Sequence, residues 1–530
     1  MQSRRQFLNT LSITGSVIML DARGILRSSF SGEYFGLNEF IENNPDAVFV
    51  LRTNVDSKTN GSAIKAVGQQ LGTSLFQIKT NPNSGFPTST NVVVKPNITW
   101  WSWDIPPIEN IMGIQTDPNF VEGIIGRLTQ LSIPSSNIFI REANYYGPNS
   151  TSGKLYAEMA NRAAINLKDV SAGVGTINES DIQWMNVQDG IWFNKIPYIW
   201  PINSLNSCLI NIAKFKSHSM GMSLCSKNIQ GAIARPYVAH CTGWNTEMTG
   251  VDSQYLIPNA FATIKENYDR HKNSGIPRWD IPGDSSGGIW METWASRCLD
   301  NNSTLKPLIN IVEGVYGREG PFVSGPDNGY GNDILTNIIL FGKNSFHVDI
   351  IGTYLAGHEP GNFGIFHMAE EHKLSQYLNP GDIPIYEWNL DGTATRTVLS
   401  AFSRTPIRTP YLQKAGEEQY HMVTEPYNYT TSVSEPKPEL NRPDFFALQQ
   451  NFPNPFNPST SIQFHIPAAG FVLIEIFDIN GSRIAILVNE YKYAGDHLTV
   501  WSSHNVSSGT YFYRMSFQGS TITKTMVLLR

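Results

Sequence analysis

Two spacings of hydrophobic residues divide the chain. Up to about residue 402, short apolar runs that end in polar residues alternate with stretches of helical period. After residue 446 the period drops to two. The run NVVVKPNIT, residues 91–99, is an apolar strand closed by Lys95, Pro96 and Asn97. An amphipathic stretch follows at 117–131, with Asp117 placed to cap a helix and Pro118 in its first turn. IFIREA, residues 138–143, is the next strand. Strand, helix and strand of these lengths predict a βαβ unit in a parallel sheet. Ligands of such sheets sit beyond the carboxyl ends of the strands, so Lys95, Asn97, Arg141 and Glu142 are expected to meet there.

Two further strand ends repeat the pattern. LINIA, at 209–213, is followed by Lys214, Lys216, His218, Lys227, Asn228, Arg235 and His240. SLCSKNIQGAI, within that stretch, can run as a helix carrying Lys227, and Gly231 permits close backbone approach. The run LINIVEG leads through Glu313 and Gly314 to a loop with Arg318, Glu319, Gly320 and Pro321. Another strand, Ile338 to Phe341, and a helix with His347 and Asp349 come next. The body is therefore expected to be α/β with a mainly parallel sheet.

Residues 446–530 alternate instead: SIQFHIP, FVLIEIFDI, SRIAILV, HLTVWSS, GTYFYRMSF and TKTMVLLR. Pro453, Pro455 and Pro458 forbid a helix at the entry, and Ile479-Asn480-Gly481 marks a turn. These strands predict an all-β, immunoglobulin-like sandwich with Trp501, Tyr511 and Tyr513 in its core. Between the two parts, residues 403–445 are rich in Pro, Thr, Ser and Glu and read as a connection and linker.

The 530 residues are 41% hydrophobic but only 16% charged, which makes the charge density after residue 213 informative. The net charge of -6 has no basic stripe, which argues against nucleic acid as a partner. Cys208, Cys225, Cys241 and Cys298 form no CxxC pair, so neither a zinc ribbon nor an iron-sulfur cluster is expected. No apolar run is long enough for a transmembrane helix. A P-loop is absent, and the loop Asp284 to Gly288 lacks the GxSxG of a nucleophile elbow. Trp100, Trp101, Trp103, Trp290 and Trp294 could line a sugar cleft or simply pack.

The strand-end residues offer a definite chemistry. Lys95, Asn97, Lys216, His218, Lys227, Asn228 and His240 would make a cationic pocket for a carboxylate or phosphate. Glu313, Glu319 and Asp349 can serve as general acid or base, or hold a divalent metal such as Mg²⁺ or Ca²⁺. Lys95, Lys227, Glu319 and His218 are the catalytic candidates; Asn97, Lys216, Asn228, His240, Glu313 and Asp349 are the ligand-binding ones. The alternative is that these lysines and carboxylates pair with one another at loop bases. The function is then either enzymatic, on a small anionic substrate, or that of a surface binding or structural protein without catalysis.

Three resemblances refine this. Residues 1–29 open with MQSRRQFLN, where Arg4, Arg5, Phe7 and Leu8 resemble a twin-arginine export signal with Asn9 in place of the usual Lys. Residues 446–530 resemble the C-terminal sorting domain of the type IX secretion system: the NFPNPFNPST entry, the Phe477 to Gly481 turn, Ala494 to His497, Trp501, Ser508 to Tyr511 and Lys524 to Leu529 carry the likeness. That resemblance implies recognition by an outer-membrane translocon and an extracellular or cell-surface location. Roughly residues 75–375 resemble the domain of unknown function 362 (DUF 362) family. Its positions here are Lys95-Pro96-Asn97, Lys216 and His218, Ser226-Lys227-Asn228 with Gly231, His240, Glu313-Gly314, Glu319-Gly320-Pro321 and Asp349. Many members carry a ferredoxin-like cysteine module, which this chain lacks.

Overall fold

A computed structural model describes residues 17–20, 26–29 and 34–429, apart from 81–84, 99–111, 143–150, 170–178, 203, 205, 235–252, 282–287, 321–324 and 327–330. It then describes 447–529, apart from 452, 467–469, 493–494, 504–505 and 518–519. Arg4, Arg5, Trp100, Trp101, Trp103, Arg235, His240, Cys241, the 284–287 loop and Pro321 lie outside the described residues. The chain divides into two compact units, Met1–Tyr429 and Thr430–Arg530.

The first unit is built on a ten-stranded mixed sheet. Its strands are β1 (Val48–Arg52), β2 (Asn91–Pro96), β3 (Ile138–Glu142), β4 (Asn166–Asp169), β5 (Ser207–His218), β6 (Gly221–Met222), β7 (Ile309–Arg318), β8 (Asp333–Gly342), β9 (Ile385–Trp388) and β10 (Ala394–Arg396). The order is β10-β9-β1-β8-β7-β5-β2-β3-β4, with β6 paired to β5. From β7 through β5, β2 and β3 to β4 every pair is parallel, as the βαβ pattern predicted. The remaining half mixes directions: β8 runs antiparallel to both β7 and β1.

Both faces of this sheet are covered, which is why its strands read as nearly continuous apolar runs. Successive residues point to opposite faces. Val92, Val94, Ile210, Ile212, Ile309 and Ile311 enter one core, together with α1 (Gly61–Leu75) and α2 (Pro118–Gln130). Val93, Leu209, Ala213, Phe215 and Val312 enter the other, which includes residues of α3 (Cys225–Asn228), α4 (Gly288–Thr304) and α5 (Ser345–Leu355). Helices α1 and α2 touch backbone to backbone. A Cβ on Gly68 would lie 2.2 Å from the Phe120 carbonyl, and one on Gly123 would lie 2.3 Å from that of Lys65. Helix α2 begins where its sequence implied, with the Asp117 side chain accepting from Asn119 N and Pro118 at the first position.

Residues 403–429 pack as part of the first unit. Ile407, Tyr411, Leu412 and Val423 are in its core, and the Arg278 guanidinium donates to Leu412 O at 2.8 Å and to Glu417 at 2.7 Å. Among the described residues, no helix is long and apolar enough to cross a membrane.

The second unit is all β. Strands β11 (Ala447–Leu448), β12 (Ser459–Ile466) and β15 (Gly495–Ser502) form one antiparallel sheet. The other has the order β14 (Arg483–Lys492), β13 (Gly470–Phe477), β16 (Gly509–Phe517), β17 (Ser520–Leu528). Both sheets feed a single core that includes Trp501, Tyr511 and Tyr513. The Ile479-Asn480-Gly481 turn is held by Asp478, whose carboxylate accepts from Asn480 N and Ser482 N, with Gly481 at φ +79°.

Candidate functional site

The strand ends of β2, β3 and β5 meet the short helix α3 in a buried polar network. Lys95, 1% exposed, pairs with Glu142 and donates to Pro96 O at 2.9 Å and Asn228 Oδ1 at 3.1 Å. Asn97 Nδ2 donates to the same Asn228 oxygen at 3.2 Å. Asn228 in turn donates to Asn211 Oδ1 at 2.8 Å, and Asn211 to Asn310 Oδ1 at 2.8 Å. Gly231 lies against this pair: a Cβ there would stand 2.2 Å from Glu142 Oε1 and 2.7 Å from Lys95 Nζ. Burial pushes the Glu142 carboxyl up to about 7 although Lys95 opposes it, and burial pulls the Lys95 ammonium down. A lysine made more acidic beside a carboxyl made more basic can exchange a proton.

Arg141 does not join them. It sits one position before Glu142 on β3 and so faces the opposite side of the sheet. There its guanidinium donates to Asn166 Oδ1 at 2.8 Å and to Trp200 O at 3.2 Å.

Helix α3 is held from below by Asp349 on α5. The Asp349 carboxylate accepts from Cys225 N at 2.7 Å, Ser226 N at 2.8 Å and Ser226 Oγ at 2.5 Å. Burial lifts its pKa to about 7 against those bonds. Asp349 thus orients the turn that presents Lys227 and Asn228.

Lys227 is half-buried. Its ammonium lies 5.7 Å from the Trp294 ring centroid and has no hydrogen-bond or ion-pair partner among the described residues. Its charge is felt by the neighbours. Burial and then Lys227 push both Lys216 and His218 well below their ordinary values, and Lys227 also lowers Lys95 after burial. Lys216 Nζ donates to Ile114 O at 2.6 Å. The His218 ring accepts from Met220 N through Nδ1 at 3.2 Å and meets Trp294 edge-on at 4.9 Å. Trp294 is 6% exposed and donates to Gln230 Oε1 at 3.0 Å, a packed and hydrogen-bonded indole.

The carboxylates from the later strand ends are engaged elsewhere. Glu313 pairs with Lys214 at 2.7 Å, both side chains fully buried, and accepts from Asp117 N at 3.1 Å. The Lys214 ammonium stands 3.3 Å from the Tyr316 ring centroid, and Tyr316 donates to Asp117 Oδ2 at 2.7 Å. Glu319 is gripped by Arg408, with 2.9 Å to Nε and 2.7 Å to Nη2. The neighbouring Gly320 N donates to Ser217 Oγ at 2.8 Å. Among the described residues, no group of three or more His, Cys, Asp or Glu is arranged to hold a metal ion.

The structure therefore joins Lys95, Asn97 and Asn228 directly, sets Lys216, His218 and Lys227 within electrostatic reach, and gives Glu313, Glu319 and Asp349 separate partners. Glu142, expected at the strand ends and found there as the partner of Lys95, was not among the catalytic or ligand-binding candidates, and Asn211 was not singled out at all. Glu142 had a signal, because it ends β3 as Lys95 ends β2. Asn211 had one too: an amide inside the buried run LINIA needs a partner.

Residues 92–354 match the family described as Domain of unknown function (DUF362), and residues 450–529 match the Secretion system C-terminal sorting domain. No curated protein matches the chain. The chain thus carries a DUF362 domain, in which all ten candidate site residues lie, and a type IX sorting domain behind it. That tail marks it for export and for cell-surface or extracellular placement, through interaction with the type IX secretion system.

Proposed function

We propose that the DUF362 domain binds a small anion, a carboxylate or phosphate, at the strand ends, with Lys227 as the contacting cation. The observation that carries this reading is the Lys227 ammonium: it lacks a hydrogen-bond or ion-pair partner among the described residues, and its charge adds to burial in depressing Lys95, Lys216 and His218 around it. Three lysines face one carboxylate, Glu142, so an anion relieves their mutual repulsion. Lys216, Asn97 and Asn228 position the ligand. His218, neutral through burial, keeps its proton on Nε2 because Nδ1 accepts from Met220 N, and the Lys95–Glu142 pair supplies general acid–base chemistry. Glu319, tied to Arg408, holds the end of β7, while Glu313 and Asp349 hold the frame. His240 is retained as a ligand contact from the family motif. Export begins, in this reading, at the twin-arginine-like Arg4 and Arg5.

The second reading is a surface binding protein without catalysis. It is favoured by the same Glu313, Glu319 and Asp349 bonds, which leave those carboxylates no evident reacting partner. Calorimetric titration of the full chain with inorganic phosphate and with acetate tests the site. Lys227→Ala should weaken binding of one of these at least ten-fold and leave the unfolding midpoint unchanged. Affinity should also fall as salt rises. Binding that is absent, or indifferent to Lys227, would sink the anion site.

A further inference from the structure

We propose that the side chains of Lys95 and Asn228 join in a covalent amide bond, made by the protein itself, that ties the end of β2 to α3. Such a bond needs an amine, a carboxamide and an acid–base group packed together away from water. All three meet here. Lys95 Nζ stands 3.1 Å from Asn228 Oδ1 and pairs with Glu142. Lys95 is 1% exposed, and Asn228 and Glu142 are each 3% exposed. The carboxamide is held in place, because its Nδ2 donates to Lys95 O at 3.2 Å and to Asn211 Oδ1 at 2.8 Å. Gly231 lies close over the pair, where a Cβ would meet both Glu142 and Lys95.

The surroundings favour the reactive forms. An ammonium has no lone pair to attack with, whereas a free amine does. Burial pulls the Lys95 ammonium down and pushes the Glu142 carboxyl up to about 7, although each partner opposes the other's shift. The proton therefore passes readily from Lys95 to Glu142. Lys95 Nζ then attacks Asn228 Cγ, and the negative charge gathering on Oδ1 is met by Asn97 Nδ2, which donates to it at 3.2 Å. Glu142 gives its proton to the departing Nδ2 and takes one from Nζ. The Nζ–Cγ bond has formed, the Cγ–Nδ2 bond has broken, and ammonia leaves. One hydrogen stays on Nζ, the Glu142 carboxyl keeps one, and ammonia takes the rest, so no oxidant or further reactant is used.

Lys214 is an internal control. It is as deeply buried and is paired with Glu313, but its other neighbour is the Tyr316 ring and no carboxamide accepts from it among the described residues. The Lys95–Asn228 bond spans 133 positions of sequence, so it restricts the unfolded chain as a disulfide does. That suits a domain sent outside the cell. The bond does not rest on the anion reading: it removes the charge of Lys95, leaves Lys227 as the contacting cation and leaves Glu142 as the acid.

The full chain, purified folded, is then denatured, digested with trypsin and read by mass spectrometry. The peptide carrying Lys95 should be joined to the one carrying Asn228, lighter than their sum by one ammonia, with Lys214 unmodified. Asn228→Ala should release the Lys95 peptide unlinked and lower the urea midpoint. Glu142→Gln should cut the linked fraction by about ten-fold or more. Separate peptides from the folded parent would overturn the proposal whether or not either variant folds. A link formed with loss of water would also overturn it, because that joins Lys95 to Glu142 instead, as would full linkage in folded Glu142→Gln.

Discussion

Around its strand ends the first unit buries Lys95, Glu142, Lys214, Lys216, His218, Glu313, Arg318, Glu319 and Asp349. The second unit buries one charged side chain among its described residues, Glu475, and that one meets Arg483 and Arg514. Taking ions out of water costs several kcal/mol apiece, so the first unit carries a stability burden that the second avoids. A β module whose task is to be recognised and carried needs only an apolar core with alternating strands. The difference fits the proposed ligand site in the first unit and leaves transport to the second.

The sharpest way to break this division is to delete residues 446–530. The shortened chain should disappear from the cell surface and the medium and remain inside the outer membrane, as read by fractionation, while its remaining unit keeps the parent's urea midpoint. Next in size is Lys214→Met. It strands the fully buried Glu313 without its cation and should cost the first unit about 3–5 kcal/mol, with the unfolding transition of the second unit unmoved.

A pH titration sharpens the contrast further. His271 is clamped by Glu292 and Glu371, each at 2.8 Å, with Arg270 on the other Glu371 oxygen and Trp279 donating to Glu292. Burial alone would depress this imidazole, but the two carboxylates lift it to about 9 from an ordinary 6.5. Its contribution, on the order of 2 kcal/mol, is complete below pH 6.5 and lost as pH rises through about 9. Glu371, which burial would raise, is instead held at about 2 by His271 and Arg270, so its share is present above pH 4.5 and fades toward 2. The first unit should therefore unfold more easily on the alkaline side, and His271→Gln should flatten that slope. The smallest effect is expected from Ile474→Val in the second unit: about 0.5–1.5 kcal/mol, confined to that unit's transition.

Much of the fold was legible because period and chain punctuation act locally. The strands at 91–95, 138–141, 208–213 and 308–312 were readable from buried β-branched runs, and the start of α2 from Asp117 and Pro118. The alternation in the second unit named its core aromatics. The site was legible in part. Lys95, Asn97 and Asn228 converge because the family motif sits at strand ends that parallel pairing must bring together. What stayed hidden depends on partners far along the chain. Arg408 takes Glu319, and Asp349 caps α3 from another helix, and no local pattern announces either. Arg141 misled for a simpler reason, since one step along a strand exchanges faces.

Strand β1 lies between β8 and β9, so the first strand of the sheet is completed only by segments from the far end of the same unit. Pairings that distant in sequence make folding slow, because a long loop must close before its contacts form. A growing chain therefore cannot finish this sheet strand by strand as it is synthesised. Both edges of β1 are unpaired until Asp333–Gly342 has been made, and one stays so until Ile385–Trp388 follows; such edges invite association between chains. The nascent protein thus carries an exposed strand edge through most of its synthesis.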